Sequence, residues 1–146
     1  MSAALRAATN PARVAAMRRR TAASLPAGVG YRFGVEGPIV AVDLNGVLDT
    51  YSGWKGPEHW DAPRPGAAEF LDALRARGYR IVIHTTRWRD DAEAWLRKHG
   101  LFERVDLVTN EKVAAHVFVD DRAVCFRGDF DETLRAIDAF AAHWER

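Results

Sequence analysis

The sequence predicts an α/β fold in which short apolar strands form a central parallel sheet. Three observations lead there. Four brief apolar runs, at residues 39–42, 80–84, 105–108 and 117–119, are each the length of a buried strand. Stretches with helical spacing of apolar residues lie between the first three runs and after the last. Polar residues cluster at the carboxyl end of each run. Strands separated by helices imply right-handed crossovers and a sheet covered on both sides, a three-layer arrangement. Ligands of such sheets bind beyond the carboxyl ends of the strands.

The elements follow in order. Residues 1–37 read as a basic N-terminal extension, with one helix near Pro11–Ser24 that ends at the Pro26/Gly28/Gly30 region. Six arginines (Arg6, Arg13, Arg18, Arg19, Arg20, Arg32) against Glu36 give this segment a net charge of +5, which leaves −4 on the rest of a chain with net charge +1. Such a leader suits a solvated tail, a transit peptide, or an arm for an anionic partner such as nucleic acid. Residues 38–146 read as the second unit. Ile39–Val42 is its first strand and runs into Asp43-Leu44-Asn45-Gly46. A loop rich in Gly, Pro and Trp covers residues 49–66. Pro65 suits the first turn of a helix whose stripe is Ala67, Phe70, Leu71 and Leu74, and Gly78 stops it. Arg80–His84 is the second strand. Asp90 or Asp91 caps a helix with Ala92, Trp95 and Leu96 inward, and Gly100 ends it. Val105–Val108 and Val117–Val119 are the third and fourth strands. Asp129 and Glu132 resemble a capping box before a last helix with Phe130, Leu134, Ile137 and Ala141 on one face.

No apolar run approaches a membrane span, so no membrane partner is expected. The lone cysteine, Cys125, excludes an internal disulfide, reads as a buried small hydrophobe, and fits the cytoplasm. Five scattered histidines show no zinc spacing.

The polar strand ends carry the chemistry. A carboxylate such as Asp43 can attack phosphorus, but an anion approaching an anion needs a divalent cation. Mg²⁺ takes one or two carboxylates plus water and substrate oxygens, and Asp43 with Asp120 or Asp121 meets that need. Thr85 can donate to a phosphate oxygen, and Lys112 can neutralise charge that grows in the transition state. Gly46 permits a tight turn whose amides face the phosphate. Arg87 can fork onto a carboxylate or phosphate, or pair with Asp90 or Asp91.

Asp-x-x-Gly-Val after one strand, Thr after a second, Lys, and Asp-Asp after the last strand resemble the four motifs of the haloacid-dehalogenase (HAD) superfamily. The match spans about residues 38–128, and Thr109-Asn110-Glu111-Lys112 with His116–Arg122 is similar to small HAD phosphatases without a cap domain. The resemblance implies that residues 38–146 are a catalytic domain with a HAD-like Rossmannoid fold and no separate cap. It implies an aspartyl-phosphate on Asp43, and Mg²⁺ held by Asp43, the main-chain carbonyl of Asn45, and Asp120, with Asp121 as a further ligand or support. Thr85 and Lys112 would hold the phosphoryl group, with Thr86 beside them. The loop after the nucleophile would be a flap, placing Trp54, Lys55 and Trp60 near a phosphorylated substrate.

One departure bears on turnover. The family's phosphatases place a second aspartate two residues after the nucleophile, where this chain has Asn45. An amide does not trade protons near neutral pH, and general acid–base help is typically worth about 10²–10⁴ in rate. Three readings follow: turnover of a substrate with a good leaving group or with a borrowed acid (Asp49 and Glu58 are nearest); binding of a phosphorylated ligand without turnover; or an engineered trap at residue 45. With no cap, an open site suits a nucleic-acid end, a protein, or a small substrate covered by a homo-oligomeric neighbour.

Overall fold

The structure, a computed structural model, describes residues 37–146. The helix expected near Pro11–Ser24 and the basic arm lie outside the described residues.

Four parallel strands form the sheet: β1 (Ile39–Val42), β2 (Arg80–His84), β3 (Leu107–Thr109) and β4 (Val117–Val119), in the order β3-β2-β1-β4. Two helices connect strands, α1 (Ala67–Ala76) between β1 and β2 and α2 (Arg89–Lys98) between β2 and β3, and a third, α3 (Phe130–Asp138), follows β4. β1 and β2 are continuously apolar at their centres because neighbouring strands flank both, and Val40, Ala41, Val42, Ile81, Val82 and Ile83 are buried.

Strand order dictates where the helices go. The β1-α1-β2 and β2-α2-β3 crossovers step in the same direction, so right-handedness puts both helices on one face. Leu71 of α1 and Ala92, Trp95 and Leu96 of α2 pack there on Val40, Val42, Ile81 and Ile83. Leu71 and Leu96 are fully buried, each worth about 1.5–3 kcal/mol relative to exposure. The return from β3 to β4 crosses the other face, and it contains no helix. Val113 and Ala115 alone from that connection cover Ile39, Ala41 and Val82. The predicted three layers are therefore two among the described residues. The connection, residues 110–116, is too short to carry a helix across the sheet.

Other expectations shift in detail. β3 starts two residues late, because Val105 closes the helical turn Phe102–Arg104 and the Asp106 carboxylate accepts from the Ile81 amide. Trp88, not Asp90 or Asp91, sits at the N-cap of α2; the two acids lie in its first turn, where they favour the helix dipole. Asp129 does cap α3, its carboxylate accepting from Glu132 N at 2.9 Å. The apolar face of α3 lies open, however, with Phe130 at 77% and Leu134 at 58% exposure, and Ala141 falls beyond the helix. Cys125 is exposed rather than buried, since the 123–128 segment leaves the sheet. No helix among the described residues is long and apolar enough to cross a membrane.

Candidate metal and phosphoryl site

The chain leaves β1 toward β2 on one side, while the return from β3 brings β4 to the other side. The carboxyl ends of β1 and β4 thus border the crevice where connections diverge, the usual ligand position of such sheets. Asp43 follows β1 and Asp120 follows β4, and the Asp43 amide donates to Val119 O at 2.9 Å, which ties the two strand ends together.

Asp43, Asp120 and Asp121 each offer a carboxylate oxygen within 4.8 Å of the others. Burial, then the charge of Asp120, pushes the Asp43 carboxyl from its ordinary 3.8 up to about 7, against a hydrogen bond from Leu44 N. Asp121 is more telling. Both of its oxygens are buried and neither accepts a hydrogen bond. His143 Nδ1 lies 3.4 Å from Oδ2, at ion-pair distance but short of a hydrogen bond, and the Asp43 carboxyl stands close enough to share a proton with it. Buried carboxylate oxygens without partners are costly, and a cation among the three acids would satisfy them. The donors are all hard oxygens, a set that suits Mg²⁺, Ca²⁺ or Mn²⁺ over softer metals.

Gly46 makes the close approach. Its φ is +92°, and a Cβ there would run into the Asp121 carboxylate. Gly46→Ala should therefore cost about 1–3 kcal/mol in backbone strain and also displace Asp121. In denaturation and Mg²⁺ titrations the variant is expected to lose stability and most of any metal-dependent stabilisation. Unchanged metal dependence would show that the Gly46–Asp121 contact does not shape the site.

The turn after Asp43 is organised by Asp49, which is fully buried. Its carboxylate accepts from Gly46 N at 2.7 Å, Asn45 Nδ2 at 2.7 Å and Tyr51 N at 3.1 Å. Burial raises the Asp49 carboxyl above its ordinary range, and those hydrogen bonds oppose the rise. Asp49 is spent as a scaffold, which removes it as a borrowed acid. Glu58 is exposed on the flap and does not line the cleft.

A cleft of about 660 Å³ opens over the acids, bordered by Asn45, Trp54, Thr85, Thr86, Asn110 and Arg122 among others. Asp43, Asn45, Trp54, Thr85, Thr86 and Arg87 thus meet there as the sequence suggested. Thr85 is buried, its hydroxyl accepting from Arg87 N at 3.2 Å. The Arg87 guanidinium is not free for substrate. It donates to Asn45 Oδ1 at 3.0 Å, Pro57 O at 3.0 Å and His59 O at 2.8 Å, so it fastens the flap to the turn after β1, and it does not pair with Asp90 or Asp91.

Two lysines fall outside the cleft. Lys112 Nζ sits 5.4 Å from the Phe118 ring centroid, because its segment is drawn across the second face of the sheet, and Asn110 takes the place at the rim. Lys55 donates to Ser52 Oγ at 2.7 Å within the exposed flap. A cation that does border the cleft is Arg122, whose backbone N–H donates to Asp120 Oδ1 at 2.8 Å. Its place directly after the Asp-Asp pair was the available signal. Nothing in the sequence pointed to His143, whose Nε2 lies 3.1 Å from Tyr51 O while Nδ1 faces Asp121.

Comparison with known proteins adds little to this geometry. No protein-family model and no curated protein matches the chain. A solved structure of a conserved protein from Bacteroides thetaiotaomicron is similar at 24% identity and a TM-score of 0.48, covering 68% of this chain and 88% of that one.

Proposed function

We propose that this chain is a Mg²⁺-dependent phosphohydrolase or phosphotransferase of the HAD type, acting through an aspartyl-phosphate on Asp43. One observation carries the reading: three carboxylates converge within 4.8 Å at the mouth of a polar cleft, and one of them has both oxygens buried without a hydrogen bond among the described residues. The order of the motifs along the chain supports it. Asp43, Asp120 and Asp121 would hold the ion, with the main-chain carbonyl of Asn45 available beside them. The bound ion would neutralise phosphate charge and draw Asp43 into its ionised, nucleophilic form.

The chain's own groups set which substrates turn over. An Asp43 oxygen attacks phosphorus, and the bond to the leaving oxygen breaks. Thr85 and Arg122 can support the phosphoryl oxygens as charge spreads over them. Asn45 cannot protonate the departing oxygen, so the reaction suits leaving groups that depart as stable anions, such as the carboxylate of an acyl phosphate or the phosphate of an anhydride. Water then cleaves the acyl phosphate, returning the Asp43 carboxylate and releasing inorganic phosphate.

Asn45 also favours a second reading, a module that binds phosphorylated ligands without turnover. Both ends of its amide are already engaged, with Asp49 and Arg87. Acetyl phosphate separates the two readings. With Mg²⁺ the full chain should release phosphate in many turnovers, and chelation should stop it. Mg²⁺-dependent binding of phosphate without release would favour the module; neither binding nor release would defeat both.

A further inference from the structure

Trp54 is the feature that the phosphoryl chemistry leaves unused. It is 64% exposed at the cleft, a costly place for a large apolar ring. Trp60, by contrast, does the work of pinning the flap. It stacks on Trp95 at 6.2 Å and 25°, and Trp95 is buried and donates from Nε1 to Asp61 O at 3.1 Å. The Arg87 guanidinium lies over both flap tryptophans, 4.3 Å from the Trp60 centroid and 4.8 Å from that of Trp54. Core Trp95, Trp60, Arg87 and Trp54 therefore form a continuous column, and its outermost ring borders the phosphoryl site.

We infer that Trp54 is the stacking platform for the ring of a nucleoside di- or triphosphate, the substrate class of the site; this rests on the phosphoryl-transfer reading above. Several observations converge. The three hydrogen bonds of Arg87 fix the platform in advance, so little ordering cost remains when a ring lands on it. A guanidinium against one face of an indole draws π density toward itself, so the other face suits a neutral, electron-rich ring better than a cationic one. Nucleobases are such rings. A cleft of about 660 Å³ is of the size that takes a nucleotide. The side-chain amide of Asn110 at the rim offers both donor and acceptor to a base edge or a ribose.

The substrate class also answers the problem set by Asn45. A nucleoside polyphosphate has an anhydride bond. When Asp43 attacks the terminal phosphorus, the bridging oxygen leaves with the shortened nucleotide as a phosphate anion, which needs no proton from residue 45. Water then hydrolyses the aspartyl-phosphate to inorganic phosphate and a free carboxylate, so atoms and charge balance with no other reactant.

Calorimetry on the full chain with Mg²⁺ tests this, using α,β-methylene-ADP and methylenediphosphonate, which share the uncleavable phosphonate and differ by the nucleoside. The ring-bearing ligand should bind at least about 5-fold more tightly, the low end of what base–aromatic stacking provides. That preference should disappear in Trp54→Ala and persist in Trp54→Phe. Equal affinities in the wild type, a preference that survives Trp54→Ala, or a Trp54→Phe variant as poor as Trp54→Ala would each overturn the ring platform while leaving phosphoryl transfer standing. If neither compound binds and acetyl phosphate is not turned over, the phosphoryl-transfer reading fails and the platform with it.

Discussion

Asp43→Asn will reduce phosphate release to the uncatalysed background and, in the metal-free protein at pH 8, make the fold more stable. The first effect follows from the nucleophilic role proposed for Asp43. The second follows from the electrostatics. In the folded chain the Asp43 carboxyl titrates at about 7 rather than 3.8, chiefly because burial and the neighbouring Asp120 disfavour its charge. A folded-state value above the unfolded one means that the folded chain binds the proton more tightly. The stability linked to that proton is complete below about pH 4 and is lost as pH rises through about 7. A shift of this size corresponds to a few kcal/mol, about 4 at most, since one pKa unit is worth 1.36 kcal/mol. Asparagine never ionises and its Oδ1 can still accept from Leu44 N, so the variant escapes the penalty. Urea denaturation in EDTA should show wild type and variant alike near pH 4 and separated by a few kcal/mol at pH 8, with Mg²⁺ narrowing the gap by stabilising only the carboxylate form. A difference independent of pH would mean that Asp43 is not held against its neighbours' charge.

What could be read from the sequence was whatever one strand and its end determine. Ile39–Val42 had to be apolar on both faces, and the polar Asp43 directly after it had to lie at a rim; both follow from the chain's local pattern. Arg80–His84 and Val117–Val119 were legible for the same reason. Relations between segments were not. Arg87 carries a charge that a linear reading assigns to substrate, yet its donors go to Asn45, Pro57 and His59, up to 42 positions away. Lys112 stands at the spacing of a phosphate ligand, but the strand order sends its segment across the second face. Asp49 reads as a spare acid because its hydrogen bonds to the Gly46 and Tyr51 amides depend on a turn that spacing alone does not specify. The stripe Phe130, Leu134 and Ile137 was legible as amphipathic, whereas its exposure depends on how the chain leaves β4.

Asn45→Asp is expected to raise turnover of alkyl phosphate esters by about 10²–10⁴, the usual worth of general acid–base help, while acetyl phosphate turnover changes little by comparison. The asymmetry arises because an alkoxide leaves poorly unless protonated, whereas acetate leaves as it is. Geometry adds a reason why the new acid would be protonated when needed. Asn45 Nδ2 stands 2.7 Å from Asp49 Oδ2, so a carboxyl there would face a buried carboxylate already raised in pKa. Two such groups cannot both ionise, and the pair would share a proton toward neutral pH. Arg87 Nε, 3.0 Å from Oδ1, pulls the other way by favouring the charged form. The balance between Asp49 and Arg87 sets the pH at which the variant works, so its rate on an alkyl ester should follow a bell-shaped pH profile that wild type lacks. An unchanged alkyl-ester rate would mean that residue 45 does not face the departing oxygen. The bonds of its amide to Asp49 and Arg87 would then be its whole role, holding the flap over Asp43.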